Sequence, residues 1–410
     1  MTLALSASTE AGARLCALAD VLADDLATRA AAHDRAATFP HASSDALREA
    51  GYFAAPIPKR LGGLGVQSLH DLVVASVRLA DGDASVAIGV NMHLVAVRNM
   101  VRILQIAEHR GDERRAAALA QGLQTLTARG EILAAAISEP KQDLLRPSTV
   151  ATSVEGGWRI DGRKIFCTGV PAATTLYASV TYPDAAGAAR YGYAMVPVRA
   201  RGVTVHDDWD ALGMRASGSH SVTFDGVMLP RAAVSGGFPA GSAVPYMERN
   251  LSAGLFHASS SLGIAEGAAR AALAGVAKRG PTDGRTRALA AENAMDLTLA
   301  RASLARGAAL IDEHEAANPD STGDADAITA LFVEAQAVKT VVGEASGRVV
   351  ERSLAMTGGG GFLNGHPIAR AYRDVRAGTF MNPLAANRAY ELVGMAALGL
   401  DPALSWCARR

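Results

Sequence analysis

The chain is poor in lysine, cysteine and aromatic side chains, and it carries no net charge. Three cysteines in 410 residues, Cys16, Cys167 and Cys407, lie far apart with no CxxC spacing. That argues against structural zinc or a disulfide framework and fits a reducing compartment. The 40 basic and 40 acidic residues cancel, so no field favours nucleic acid or an anionic membrane. Lysine occurs only at Lys59, Lys141, Lys164, Lys278 and Lys339, which leaves arginine to carry the positive charge. No window is read as apolar enough for a membrane span. The N-terminus lacks a basic stretch followed by an apolar run, so no secretory signal is expected and the location reads as cytoplasmic. GxxxxGK, HExxH and GxSxG are absent, which removes the commoner NTPase, zinc-protease and serine-hydrolase routes.

What is present is a globular composition, 49% hydrophobic and 20% charged, patterned mostly as helix around one strand-rich stretch, Glu131 to Pro230. Within that stretch Tyr177 to Tyr182, Tyr191 to Val196 and His220 to Pro230 are rich in aromatic and β-branched residues suited to a pleated surface. Trp158 to Thr168 reads as strand with Asp161-Gly162 as a two-residue hairpin turn. Before it, Leu15, Leu18, Val21, Leu22 and Leu26 give a helical apolar stripe, and Asp71 to Met100 reads as one apolar helix. After it come helices over Tyr246 to Lys278, Arg287 to Ala316, Asp326 to Met356 and about Ala385 to Leu398, which suggest an antiparallel bundle. The expected fold is α+β, with a helical domain over 1–129, a β-domain over 130–235 and a helical bundle over 236–410.

Three stretches have residue types suited to a cofactor. Ser138-Glu-Pro140 ends a strand with a hydroxyl and a sharp turn. Lys164-Ile-Phe-Cys-Thr168 places Phe166 and Thr168 on one face if the strand continues, giving a surface to stack on and a donor for a planar heterocycle. An ordinary cross-strand pair explains the same two residues. Gly358 to Gly361 offers backbone N–H groups to a ligand, but it follows a helix rather than a strand, against a Rossmann reading. His93, amid apolar helix, is either a satisfied core residue or a group facing a cofactor.

Taken together these pieces resemble the acyl-CoA dehydrogenase superfamily of flavoproteins, over nearly the whole chain and in order. Ser138-Glu-Pro140 is similar to that family's Thr-Glu-Pro flavin loop, and Lys164 to Thr168 to its Lys-x-Trp-Ile-Thr strand. Leu212-Gly-Met-Arg-Ala-Ser217 with Phe224 to Pro230 matches its Leu-Gly-x-Arg…Phe-x-x-Val-x-Val-Pro block. Gly358 to Phe362, Pro367 and Arg373-Asp374 match its Gly-Gly-x-Gly-Tyr…Pro…Arg-Asp ending. The resemblance implies flavin, FAD or FMN, bound by Ser138, Phe166, Thr168, Arg279, Gly358, Gly359 and Gly361. It also implies a homodimer or homotetramer with flavin between subunits.

The departures bear on the chemistry. Where family dehydrogenases carry a Glu base after Arg-Asp, ungapped counting places Asn382, whose amide accepts no proton at neutral pH. The alternative base position falls on Ala253, with Glu248 nearby. The Gly-Ser-Asp that serves acyl-CoA is replaced by Lys141 to Pro147, and the FAD-gripping element is reduced to Arg279. These absences point to the two-component monooxygenases of the same fold, which take reduced flavin from a separate flavin reductase and form a C4a-hydroperoxyflavin. His93, Ser138 and Asn382 are then the candidate donors, and a small organic molecule is the expected substrate. The alternatives are an acyl-CoA or acyl-carrier dehydrogenase and a catalytically silent scaffold.

Overall fold

The computed structural model describes residues 4–141, 143–280, 282–320, 324–381 and 383–402. Its N-terminal part holds five helices: α1 (Glu10–Ala36), α2 (His41–Glu49), α3 (Leu69–Gly82), α4 (Ala84–His109) and α5 (Glu113–Arg129). Asp71 to Met100 is not one helix, because Asp83 turns the chain and caps α4, its Oδ1 accepting from the N–H groups of Ser85 and Val86 at 2.9 and 3.3 Å. Four N–H groups at a helix start have no intrahelical partner, and this carboxylate answers two of them. By length and composition α4 is apolar enough to cross a membrane, with a mean hydropathy of 1.3, which corrects the reading that no window is. As 72% of that window is buried in the protein, its apolarity is that of a core helix.

Among the described residues eight strands follow: β1 (Leu133–Ala136), β2 (Val150–Val154), β3 (Gly157–Lys164), β4 (Thr175–Pro183), β5 (Ala189–Pro197), β6 (Val203–Val205), β7 (Val222–Pro230) and β8 (Val234–Pro239). They form one sheet in the order β6-β7-β3-β2-β4-β5-β8, with β1 pairing parallel to β4. The β2–β3 hairpin turns at Glu155-Gly156, not at Asp161-Gly162. Asp161-Gly162 instead forms a bulge inside β3 against β7. Gly162 sits at φ 151°, and a Cβ there would lie 2.6 Å from the Thr149 hydroxyl, so the glycine serves the bulge.

The helices after the sheet are α6 (Ala243–Arg249), α7 (Ala253–Arg279), α8 (Gly284–Ala317), α9 (Ala325–Thr357), α10 (Pro367–Asp374) and α11 (Ala386–Ala397). The helix expected from Tyr246 onward is therefore two, broken at Asn250 to Ser252. α9 packs against α7, α8 and α11, while α3 and α4 pack on α7, so the N-terminal and C-terminal helices share a core. The sheet keeps a second core of its own around Trp158, Ile160, Leu176 and Phe224.

Candidate functional site

The end of β1 and the end of β3 run side by side, since Ile165 N–H donates to Ser138 O at 2.9 Å. Beneath this contact sits a buried ion pair. Lys164 Nζ donates to Glu139 Oε1 at 2.6 Å, and the two side chains are 0% and 1% exposed. The Glu139 carboxylate also accepts from the backbone and hydroxyl of both Ser148 and Thr149, at 2.6–2.9 Å. Burial alone would raise the Glu139 pKa, but the Lys164 charge and these donors outweigh it and hold the carboxyl down at about 2. Glu139 is thus the anchor of the Ser138 loop rather than an acid or base.

Beyond Lys164 the strand ends, so period-2 alternation does not carry Phe166 and Thr168 onto one strand face. Phe166 instead takes a left-handed φ of 55°, costly for a residue with a Cβ, and turns its ring outward, 57% exposed and edge-on to Trp209 at 6.1 Å. Thr168 joins a hydroxyl chain: Ser219 Oγ donates to Thr168 Oγ1 at 3.0 Å, and Ser217 Oγ lies 2.7 Å from Ser219 Oγ. Cys167 between them is buried, its thiol pushed up to about 12 by burial, and is chemically quiet. A cavity of about 20 Å³ beside Thr168 is walled by Phe39, Phe53 and Gly89.

The Leu212 to Ser217 loop is fixed from behind. Trp209 Nε1 donates to Met214 O at 3.0 Å, and Met214 N–H donates to Asp374 Oδ1 at 2.6 Å. A Cβ on Gly213 would lie 2.3 Å from Arg373 O, so glycine is what lets the two segments meet. Arg373 pairs with Asp34 of α1 at 2.9 and 2.6 Å, and Arg215 Nε donates to Asp34 O at 2.9 Å. Burial pushes the Asp374 carboxyl up to about 7. One cluster therefore ties the N-terminal helices, the sheet and the C-terminal helices together behind Thr168.

The other sequence candidates fall elsewhere. His93 is fully buried, Nε2 lying 2.9 Å from Phe53 O and Nδ1 accepting Leu133 N–H at 2.9 Å. Both ring nitrogens are consumed and burial lowers its pKa to about 4, so it is a neutral core residue joining α4 to β1, and the donor role expected of it is corrected. Ser138 is half-buried at the loop. Arg279 donates to Met356 O at 2.6 Å and so closes the end of α9 beside a 3₁₀ turn at Gly358–Phe362. There Gly358, Gly359 and Gly360 face open space, while Gly361 is buried against Thr357. Asn382 lies outside the described residues. Glu248 lines a pocket with Arg98, Arg102 and Arg249.

Sequence reasoning missed Glu139 as an anchor and Asp34, Asp374 and Gly213 as a tie. Lys164, one of five lysines yet in a strand, was the available signal for the first.

An outward-facing aromatic in strained backbone, above a hydroxyl chain and a rigid loop, fits a planar heterocycle. Models of the acyl-CoA dehydrogenase N-terminal, middle and C-terminal domains match residues 13–121, 134–227 and 255–382. The amino sugar nitrososynthase DnmZ of Streptomyces peucetius is 33% identical over 398 residues, 95% of this chain and 94% of that one. The L-evernosamine nitrososynthase of a Micromonospora species is 33% identical over 386 residues, 92% and 88% of the two chains. The crystal structure of KijD3 with FMN and dTDP-3-amino-2,3,6-trideoxy-4-keto-3-methyl-D-glucose superposes with a TM-score of 0.88 at 29% identity, covering 98% of each chain. The chain belongs to the acyl-CoA dehydrogenase family and is one of its flavin-dependent oxidoreductases.

Proposed function

We propose that the protein is a flavin-dependent monooxygenase that oxidises the amine of a nucleotide-linked amino sugar, drawing reduced flavin from a separate reductase. The observation that carries this reading is end-to-end similarity, 33% identity over more than nine-tenths of this chain, to two nitrososynthases of amino sugars. The geometry supports it against α-proton abstraction. Among the described residues, four carboxylates around the site loops are committed: Glu139 to Lys164, Asp374 to Met214, Asp34 to Arg373 and Asp208 to Ser221.

Reduced flavin, when bound, supplies two electrons and activates dioxygen. Phe166 would hold the ring system on its exposed face, and Thr168 would present a hydroxyl at a position set by Ser219. Ser138 would stand on the neighbouring loop, held by the Glu139 anchor. The Leu212 to Ser217 loop and α4 would shut water from that side. The net change is amine plus dioxygen plus reduced flavin to hydroxylamine, water and oxidised flavin, and a second round gives the nitroso group and two waters. In the same reading Gly358 to Gly360 and Arg279 meet flavin across a subunit contact in a homo-oligomer.

The test is turnover with a flavin reductase, NADH, FMN and a thymidine-diphosphate amino sugar under isotopically labelled dioxygen. Label in the hydroxylamine or nitroso product is expected. Unlabelled, unchanged amine alongside flavin bleaching by acyl-CoA thioesters would overturn the reading in favour of a dehydrogenase.

A further inference from the structure

The pocket that holds Glu248 is built around three guanidinium groups. α4 contributes Arg98 and Arg102 from successive turns, α6 contributes Arg249, and β8 and the end of α8 close the sides. Its volume is about 220 Å³, below the range of cavities that enclose a whole drug-sized ligand but ample for a small polyanion.

Two features set it apart from a structural salt-bridge cluster. The first is arginine density: three arginines line it beside the carboxylates Glu248 and Glu315, with Asp312 a further 3.6 Å from Arg98. Glu315 is taken up by Arg98, at 3.0 and 2.8 Å in a bidentate pair. Burial pulls the Arg102 guanidinium below its ordinary range, against Glu315 and with the push of Arg98. The second is that two buried guanidinium nitrogens, Arg249 Nη1 and Arg98 Nε, have no hydrogen-bond partner. Arg98 is only 5% exposed. A buried N–H without an acceptor is costly and is expected to find one when the protein works.

The pocket is also rigid. Asn99 Nδ2 donates to Arg249 O at 3.2 Å, locking α4 to α6. The Arg249 guanidinium lies over the Tyr193 ring, 5.7 Å from its centroid, and Tyr193 in turn stacks on Tyr177 at 4.5 Å. Tyr191 packs edge-on to Tyr193, 5.5 Å between ring centroids. Arg249 is therefore set against the tyrosine cluster of β4 and β5. Arginine's planar fork suits phosphate oxygens, and stacking on an aromatic ring fixes the fork's orientation.

We propose that this pocket binds the phosphate groups of the substrate, with Arg98, Arg102 and Arg249 as the specificity-determining residues for an organic diphosphate. The inference rests on the nucleotide-linked amino sugar reading and adds where the charge is held.

Calorimetry on the full-length protein tests it, with a nucleoside diphosphate, the matching uncharged nucleoside and inorganic pyrophosphate as probes. The diphosphate should bind at least tenfold more tightly than the nucleoside, and pyrophosphate should compete with it. Arg249→Met and Arg102→Met should each weaken diphosphate binding at least tenfold and leave nucleoside binding and the melting temperature nearly unchanged. Arg249→Lys should recover only part of the loss. Should Arg249→Met fold poorly, Arg102→Met and the pyrophosphate competition still decide. No diphosphate binding, or binding unchanged in both variants, overturns the proposal. Equal oxidation of a free amino sugar and its nucleotide form would sink this inference and leave amine oxidation standing. Arginine-dependent diphosphate binding without amine oxidation would do the reverse.

Discussion

From Leu133 to Pro239, among the described residues, every buried side-chain polar atom has a hydrogen-bond partner, whereas the helical regions on either side hold several that do not. Arg98 Nε, Arg249 Nη1, His257 Nδ1 and both amide atoms of Gln336 belong to that second group. The two buried lysines repeat the contrast. In the sheet, Lys164 faces the Glu139 carboxylate and Ser179. In the helices, Lys339 donates to the carbonyls of Met381 and Leu384, and burial drives its pKa down to about 7. Burial also takes the nearby His257 down to about 3, with Lys339 adding to the fall. The sheet is a frame complete in itself, built to hold the Ser138 and Phe166 loops still. The helices around it leave several buried polar atoms unmatched.

The sharpest way to break this comparison is Glu139→Ala, which strands a buried ammonium in the frame. Removing one partner of a buried pair costs on the order of 3–5 kcal/mol, and chemical denaturation should read a loss of that size with weakened flavin binding. The double change Glu139→Gln with Lys164→Met should restore much of it, because no charge is then left unpaired. A loss below about 1 kcal/mol for the single variant would mean the pair is solvated and no anchor. The pH dependence follows the same group. Its folded pKa of about 2 lies below the ordinary 4.5, so its stabilisation is complete above pH 4.5 and is lost as pH falls toward 2.

His93→Ala comes next. It leaves Phe53 O and Leu133 N without partners and should cost about 2 kcal/mol, the usual penalty for stranded buried groups. The rate per folded molecule should hold, and a rate loss of a hundredfold at unchanged stability would restore His93 as a catalytic donor. The smallest effect is expected for Thr168→Val. Flavin binding should weaken by about 1 kcal/mol, one lost hydrogen bond, and unchanged affinity by fluorescence titration would remove Thr168 from the site.

Much of this was legible in the chain. The strands with β-branched and aromatic runs, and the long C-terminal helices, announce themselves because burial imposes their periods. The errors fall where tertiary contacts override local preference. Asp161-Gly162 has turn chemistry, but its glycine is spent on a bulge against Thr149. Strand alternation pairs Phe166 with Thr168 in the sequence, but the strand ends at Lys164 and a left-handed backbone turns the aromatic outward. His93 could not be sorted from sequence, since a buried polar side chain is defined by its partners, here Phe53 and Leu133, each forty positions away.

The central claim is that the protein spends reduced flavin and dioxygen on an amine and does not desaturate acyl thioesters. One measurement addresses it most directly: anaerobic titration of the oxidised flavin complex with a panel of acyl-CoAs, followed by aerobic turnover of reduced flavin with a nucleotide-linked amino sugar. The account predicts no bleaching in the first step and amine-dependent product carrying oxygen from dioxygen in the second. Bleaching by an acyl-CoA, with no oxygenated amine, would contradict it.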